Sequence, residues 1–456
     1  MYSGLKHTYV WLGFFNILFI YIVCFESEIT AEGRLQLIIS FLIHSIAFFS
    51  SLKFFNKFKI VYVSLLSFFN LISLAIAPTF VNFVDFQLGV FNVAALEICN
   101  IAFTVFYALH FYIIKHQNPI RFNTTRGKIN ISQLQFIFLI LYASQVFYRI
   151  EISGFIEMVQ FYTLGVFLFG FIHSKNNIIQ NLMLLILVLH QTFLAVTSGL
   201  IYQLIYLFSF LIFSLYIFKG FSRRGVYSIL TLSVFVIVFS ILFSPVKLTY
   251  RTMDLANFSL IEKSKVIFNL ISENNSKDLQ DREDEKSTLW RLTYSLSAIS
   301  LVIEKTPNTV PFWNGQSYVN ILYKFIPRII WNEKPKEDMG QQFGHKYSIL
   351  ADENLTTSMN TPIIAEAYMN FGFFFIFIVV ILMAILMAKM FSQSNVLNKH
   401  NSGSTVESLF NDINIAIASI FFLQWESNFT MLLGKLIILF IFTKLTMWIN
   451  FRKQTT

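Results

Sequence analysis

Residues 14–25 read FFNILFIYIVCF, twelve positions in which Asn16 is the one amide and no residue is charged. A helix over this stretch has no polar face, and a surface helix of a water-soluble protein needs one. Its natural solvent is lipid. Runs of this kind recur along the 456 residues, which are 55% hydrophobic and 18% aromatic, include 55 Phe and are only 13% charged. With a mean hydropathy of +0.62, the chain carries more apolar surface than a soluble core hides. The expected fold class is therefore an all-α polytopic integral membrane protein. A bilayer core takes about 20 apolar residues per helix, which gives about 12 transmembrane helices. Their expected centres are Ile17, Phe41, Phe69, Phe103, Leu139, Val166, Leu185, Phe208, Val234, Val380, Ser419 and Ile438. Only Lys6 precedes the first run and no small-residue cleavage site follows it, so that run is expected to stay as the first helix.

The net charge of +9 fits basic cytoplasmic loops facing anionic membrane lipid, and nucleic acid is not an expected partner. Lys53, Lys57 and Lys59 lie in one link, Lys115, Arg121, Arg126 and Lys128 two links later, and Lys219, Arg223 and Arg224 farther on. These links are expected inside, whereas the intervening ones carry acids such as Glu26, Glu28 and Asp85. Continued alternation places both termini in the cytoplasm and the long polar stretch outside. The expected division is residues 1–243 with nine spans, 244–370 as one large periplasmic loop, and 371–456 with three spans. No internal repeat suggests a transporter. Within the loop, the mixed-charge run SENNSKDLQDREDEKS (272–287) is expected to be a mobile cover. Leu289, Leu292, Leu296, Ile299 and Ile303 predict an amphipathic helix over 289–304. Cys24 and Cys99 both fall in apolar segments and offer neither a disulfide framework nor a metal pair.

An enzyme working outside the cytoplasm has no nucleotide to draw on and must use an activated substrate such as a lipid-linked diphosphate. It needs cations for the leaving diphosphate, a base for an attacking hydroxyl and a groove at membrane level. Arg328, in the apolar context FIPRIIW, is the first candidate cation, or else an interfacial arginine reaching lipid headgroups. Lys334 and Lys336 flank Pro335, and Arg251 and Arg291 are further cations; these four and Tyr318 form the candidate substrate-binding set. Glu366, in IIAEAYMNFG, and His345, in FGHKY, are the candidate bases; a salt bridge and an idle surface histidine are their plain alternatives. Glu97 is expected to line a polar cavity or to pair with another helix, and Glu426 and Lys435 are candidates of the same grade. No metal-ligand cluster, P-loop or nucleophile elbow occurs, so metal-independent chemistry with no cofactor is expected.

Three stretches, GQSYVNILYKFIPRIIWNEKP (315–335), GQQFGHKY (340–347) and TTSMNTPIIAEAYMNFG (356–372), together resemble the large periplasmic loop of bacterial O-antigen polymerases, the Wzy-type oligosaccharide repeat unit polymerases. In that family a proline, an arginine, a tryptophan and a lysine-proline pair recur in this order. A glycine-rich turn follows, then an acid ahead of a helix that opens with an aromatic residue and glycine. The resemblance implies a polymerase of the Gram-negative inner membrane with an architecture like that of the GT-C glycosyltransferases. Donor and acceptor would be oligosaccharides linked to undecaprenyl diphosphate, with a separate membrane protein regulating chain length. Arg328, Lys334 and Lys336 would face the donor diphosphate, and Glu366 or His345 would assist the acceptor hydroxyl. The single loop departs from family members that divide the work between two. An O-antigen ligase, which uses the same donor, and a polysaccharide flippase are the alternative readings.

Overall fold

In the computed structural model the described residues are 2–25, 29–58, 61–80, 92–116, 131–148, 153–173, 178–197, 201–219, 250, 253, 258, 260–274, 284–324, 331, 333, 338–355, 357–392, 406–422, 425 and 427–452. Helices and turns account for the regular structure among them, and no strand occurs. The first nine helices are α1 (Tyr2–Phe25), α2 (Ala31–Phe58), α3 (Val61–Leu71), α4 (Ala77–Phe80), α5 (Val93–His116), α6 (Ile131–Tyr148), α7 (Ser153–His173), α8 (Ile178–Thr197) and α9 (Ile201–Lys219). Four more fall in the long polar stretch: α10 (Leu260–Asn274), α11 (Asp284–Lys305), α12 (Gln316–Lys324) and α13 (Met339–Lys346). Then come α14 (Ile363–Phe371), α15 (Phe373–Ser392), α16 (Val406–Phe422) and α17 (Phe429–Arg452). Of the expected span centres, Val234 lies outside the described residues and each of the others falls within a helix.

Among the described residues three helical stretches are long and apolar enough to cross a membrane: Ala31–Ser51, Val93–His116 and Ile178–Thr197. Shorter apolar stretches, among them Gly13–Cys24, Glu157–Ile172 and Phe373–Lys389, have the same character. Their outward faces are greasy: Ile17 is 69% exposed, Ile186 63% and Phe374 80%. Apolar faces of this extent suit a membrane protein and would be costly in water.

The chain forms two compact units. One comprises residues 1–121, 289–397 and 421–438. Here α2 packs on α1, α3 and α5, and α5 packs on α15. Arg34 of α2 donates from Nε to the Ile29 carbonyl (2.9 Å) and from Nη1 to that of Cys24 (3.2 Å), covering acceptors left over where α1 ends. Between α3 and α4 the residues Ile72–Ile76 form a π-helical turn, two residues ahead of Pro78, whose missing N–H breaks the regular ladder. Asn100 is buried and donates to the carbonyl (3.0 Å) and side chain (3.1 Å) of Gln36, which ties α5 to α2. Glu97, expected to line a cavity or pair with another helix, is instead exposed on α5. The buried polar contact of α5 with α2 is made by Asn100 instead.

The other unit comprises residues 122–288, 398–420 and 439–456. Here α7 packs on α6, α8 and α9, and α10 packs on α8. The buried Tyr162 hydroxyl donates to Asn414 and lies 3.1 Å from Thr443 Oγ1, a polar knot inside an apolar bundle.

The amphipathic helix expected over 289–304 is present as α11, and it starts five residues earlier. Residues 284–287 of the mixed-charge run therefore belong to its first turn, and 272–274 close α10. The acids Asp284 and Glu285 suit a helix N-terminus. Residues 275–283 of that run lie outside the described residues.

Candidate functional site

Two stretches that the sequence sets far apart meet around α14. A helix end leaves its last carbonyls without partners. At α14 they are covered from residues 313–315: Trp313 N–H donates to the Met369 carbonyl (2.9 Å) and Asn314 N–H to that of Asn370 (3.2 Å). The tight path depends on Gly315 and Gly372, whose φ values of +85° and +77° lie where a side chain is strained. At Gly315 an added Cβ would also stand 3.0 Å from the Phe371 ring.

Asn370, fully buried, uses both ends of its amide here. Its Oδ1 accepts from Gly315 N–H (2.9 Å), and its Nδ2 donates to Ser317 Oγ (2.8 Å) and to the Glu366 carbonyl (2.7 Å). Glu366, also fully buried, sits one turn earlier on the same helix. Its carboxylate accepts from Phe429 N–H (2.5 Å) and from the Thr430 hydroxyl (3.4 Å). Thr430 Oγ1 further lies 3.1 Å from the Ser317 carbonyl. Glu366 thus places a negative charge on the first N–H of α17, where the helix dipole favours an anion. Asn428 caps the same end, its Oδ1 accepting from Met431 N–H at 2.6 Å.

Tyr318 lies beside this carboxylate, its ring near those of Phe375 and Phe429. Burial first, and then the Glu366 charge, push its hydroxyl well above the ordinary tyrosine range. It stays a neutral O–H, and that buried hydroxyl has no hydrogen-bond partner among the described residues. His345 stands in the last turn of α13, half-buried, with its Nε2 also buried and unpartnered. Its neighbour Lys346 places Nζ 4.1 Å from the centre of the Trp313 ring. Lys305 Nζ donates to the Tyr347 carbonyl (2.7 Å) and Thr306 Oγ1 lies 2.6 Å from the Tyr347 hydroxyl, which seats α13 on the end of α11.

The structure therefore brings Tyr318 and Glu366 together, with His345 on the next element of the same unit. Arg251, Arg328, Lys334, Lys336 and Glu426 lie outside the described residues, and Arg291 is described only as part of α11. Lys435 of α17 holds its Nζ 5.1 Å from the Phe421 ring. The sequence reading missed Ser317, Asn370, Asn428 and Thr430. One signal was available: Asn428 just ahead of the apolar run that opens at Phe429 is a helix N-cap pattern. Among the described residues no group of three or more His, Cys, Asp or Glu could hold a metal.

A second polar feature lies nearby in the same unit. A small cavity is lined by residues of α3, the π-helical turn, α5, α11 and α14 together with Trp425. The Ile363 N–H that opens α14 donates to the Trp425 carbonyl at 3.1 Å.

Over residues 4–399 the chain matches the family described as a domain of unknown function, DUF8712. No curated protein and no solved structure matches it. The family match spans most of the 456 residues, and the chain belongs to this family.

Proposed function

We propose that this member of the DUF8712 family is a polytopic glycosyltransferase that polymerises lipid-linked O-antigen repeat units. In this reading the chain crosses the bacterial inner membrane about 12 times, with both termini in the cytoplasm and the loop in the periplasm. It transfers the growing glycan from undecaprenyl diphosphate to the non-reducing end of a new lipid-linked repeat unit. The observation that carries the proposal is the PRIIWNEKP stretch (327–335) lying in sequence between Tyr318 and His345, two residues with buried, unpartnered polar atoms. Arg328 with Lys334 and Lys336 would hold the departing diphosphate, whose charge grows as the glycosidic bond breaks.

In this reading the two candidate bases have different roles, and their buried contacts support the division. The Glu366 carboxylate is already engaged by Phe429 N–H and Thr430. It is the positioning residue, fixing α17 and α12 around the site. The unpartnered His345 Nε2 is the group that takes the acceptor hydroxyl's proton. Glu366→Gln keeps an oxygen for Phe429 N–H and should retain polymerisation, whereas Glu366→Leu should lose it. Loss in Glu366→Gln with normal membrane insertion would instead make the charge itself catalytic.

The function is tested by deleting the gene in its own host and separating the lipopolysaccharide on a gel. Cores capped by a single repeat are expected. An unchanged long-chain ladder contradicts the proposal, and complete loss of O-antigen points to a ligase or flippase.

A further inference from the structure

The cavity beside α14 is unlike the diphosphate-binding half of the proposed site, because among the described residues no charged one lines it. The residues that line it include Phe69, Phe103 and Trp425 together with Asn70, Ser73 and Ser295. It holds about 20 Å³ of space for water centres, which suits one water-sized group. Ser73 belongs to the π-helical turn, a distortion that proteins use at functional positions.

Trp425 gives the cavity its direction. The residue is 5% exposed and its backbone is held by Ile363. Its ring is wedged by Phe103 and Phe106, with centroids at 4.9 and 5.3 Å. Yet its indole N–H is buried with no acceptor among the described residues. An indole nitrogen only donates, so the missing group is an acceptor. Ser73, Ser295 and Asn70 line the same cavity and suit a group that also donates. An anion would meet no countercharge here.

We propose that this cavity is a binding site for one neutral hydroxyl group, which accepts the Trp425 indole proton and is shared with the polar wall of Asn70, Ser73 and Ser295. The hydroxyl belongs either to an ordered water or to a sugar. Both present the same chemistry to the indole.

The test uses the full chain with ¹⁵N-labelled tryptophan, reconstituted in nanodiscs, with the Trp425 indole signal assigned by Trp425→Phe. Magnetisation transfer to the indole proton from water, seen in discs of synthetic lipid free of glycan, establishes a water-filled site. Transfer from carbohydrate protons, seen only in discs made from the host's own membranes, establishes a sugar hydroxyl. Absence of both transfers overturns the proposal. Ser295→Leu fills the cavity and should abolish the transfer while the Trp425 signal remains; transfer that persists in that variant also overturns it. The readout is the indole proton and not sugar transfer, so it stands or falls separately from the polymerase function.

Discussion

Helices α8 and α14 treat their side chains in opposite ways. Along α8 large apolar residues are exposed, with Leu182 and Leu185 each 53% exposed, Ile186 63% and Leu189 58%, and Leu187 is among the few buried. In α14, Ile363, Ile364, Ala365, Glu366, Ala367, Met369 and Asn370 are all buried, the carboxylate and the amide included. Water as the only solvent would penalise both arrangements. Lipid would remove the penalty for α8, and a nearly complete set of hydrogen bonds removes it for α14. The first helix has the length and composition of a membrane span. The second is where polar atoms are held in fixed places, which a binding or catalytic site requires.

The comparison breaks most sharply at α8. Leu185→Asp sets a charge near the middle of the helix, at a cost of about 3 kcal/mol if that face meets hydrocarbon. Insertion of α8, read in the full chain by reporter tags on either side, should fall. Unchanged insertion would mean that the exposed face of α8 is wet.

A smaller effect is expected at α14. Glu366→Leu leaves the Phe429 N–H without its acceptor, worth about 1–3 kcal/mol. Thermal unfolding of the purified protein in detergent should shift down, with Glu366→Gln closer to the native midpoint. Equal midpoints for all three proteins would remove Glu366 as the support of α17.

The smallest effect is one of pH and belongs to the seat of α13. Burial pushes the Tyr347 hydroxyl from its ordinary 10 up to about 12, opposed by its hydrogen bond with Thr306. Because the folded value is raised, the neutral hydroxyl's contribution is complete below pH 10 and is lost as pH rises through about 12. The unfolding midpoint should fall across that window. Tyr347→Phe should start lower, having lost the Thr306 contact, and then fall less steeply.

The apolar helices were legible in the sequence because hydropathy is a sum over some twenty neighbours, and α1, α2, α5 and α8 follow the runs that predict them. Helix α11 was legible for a related reason: its apolar spacing is local, and Leu296 and Ile299 are buried as that spacing requires. Amphipathic α10, which opens LIEKSKVIF at residue 260, was overlooked inside a stretch taken as loop. The site was legible only by residue type. Glu366 stood out as a candidate base and Tyr318 as a candidate substrate-binding residue. Their use depends on partners that local pattern does not encode, since Glu366 meets Phe429 across 63 residues and Gly315 meets Asn370 across 55. Asn370 looked ordinary for the same reason.

The central claim, that the buried polar cluster around α14 serves glycan polymerisation at a membrane, is tested most directly by reconstitution. The purified full-length protein is placed in liposomes with lipid-linked repeat units from its host, and the products are separated by size. Chains of several repeats are expected with the native protein and none with His345→Ala. Repeat units that stay single with the native protein, or chains that lengthen equally with His345→Ala, would contradict it.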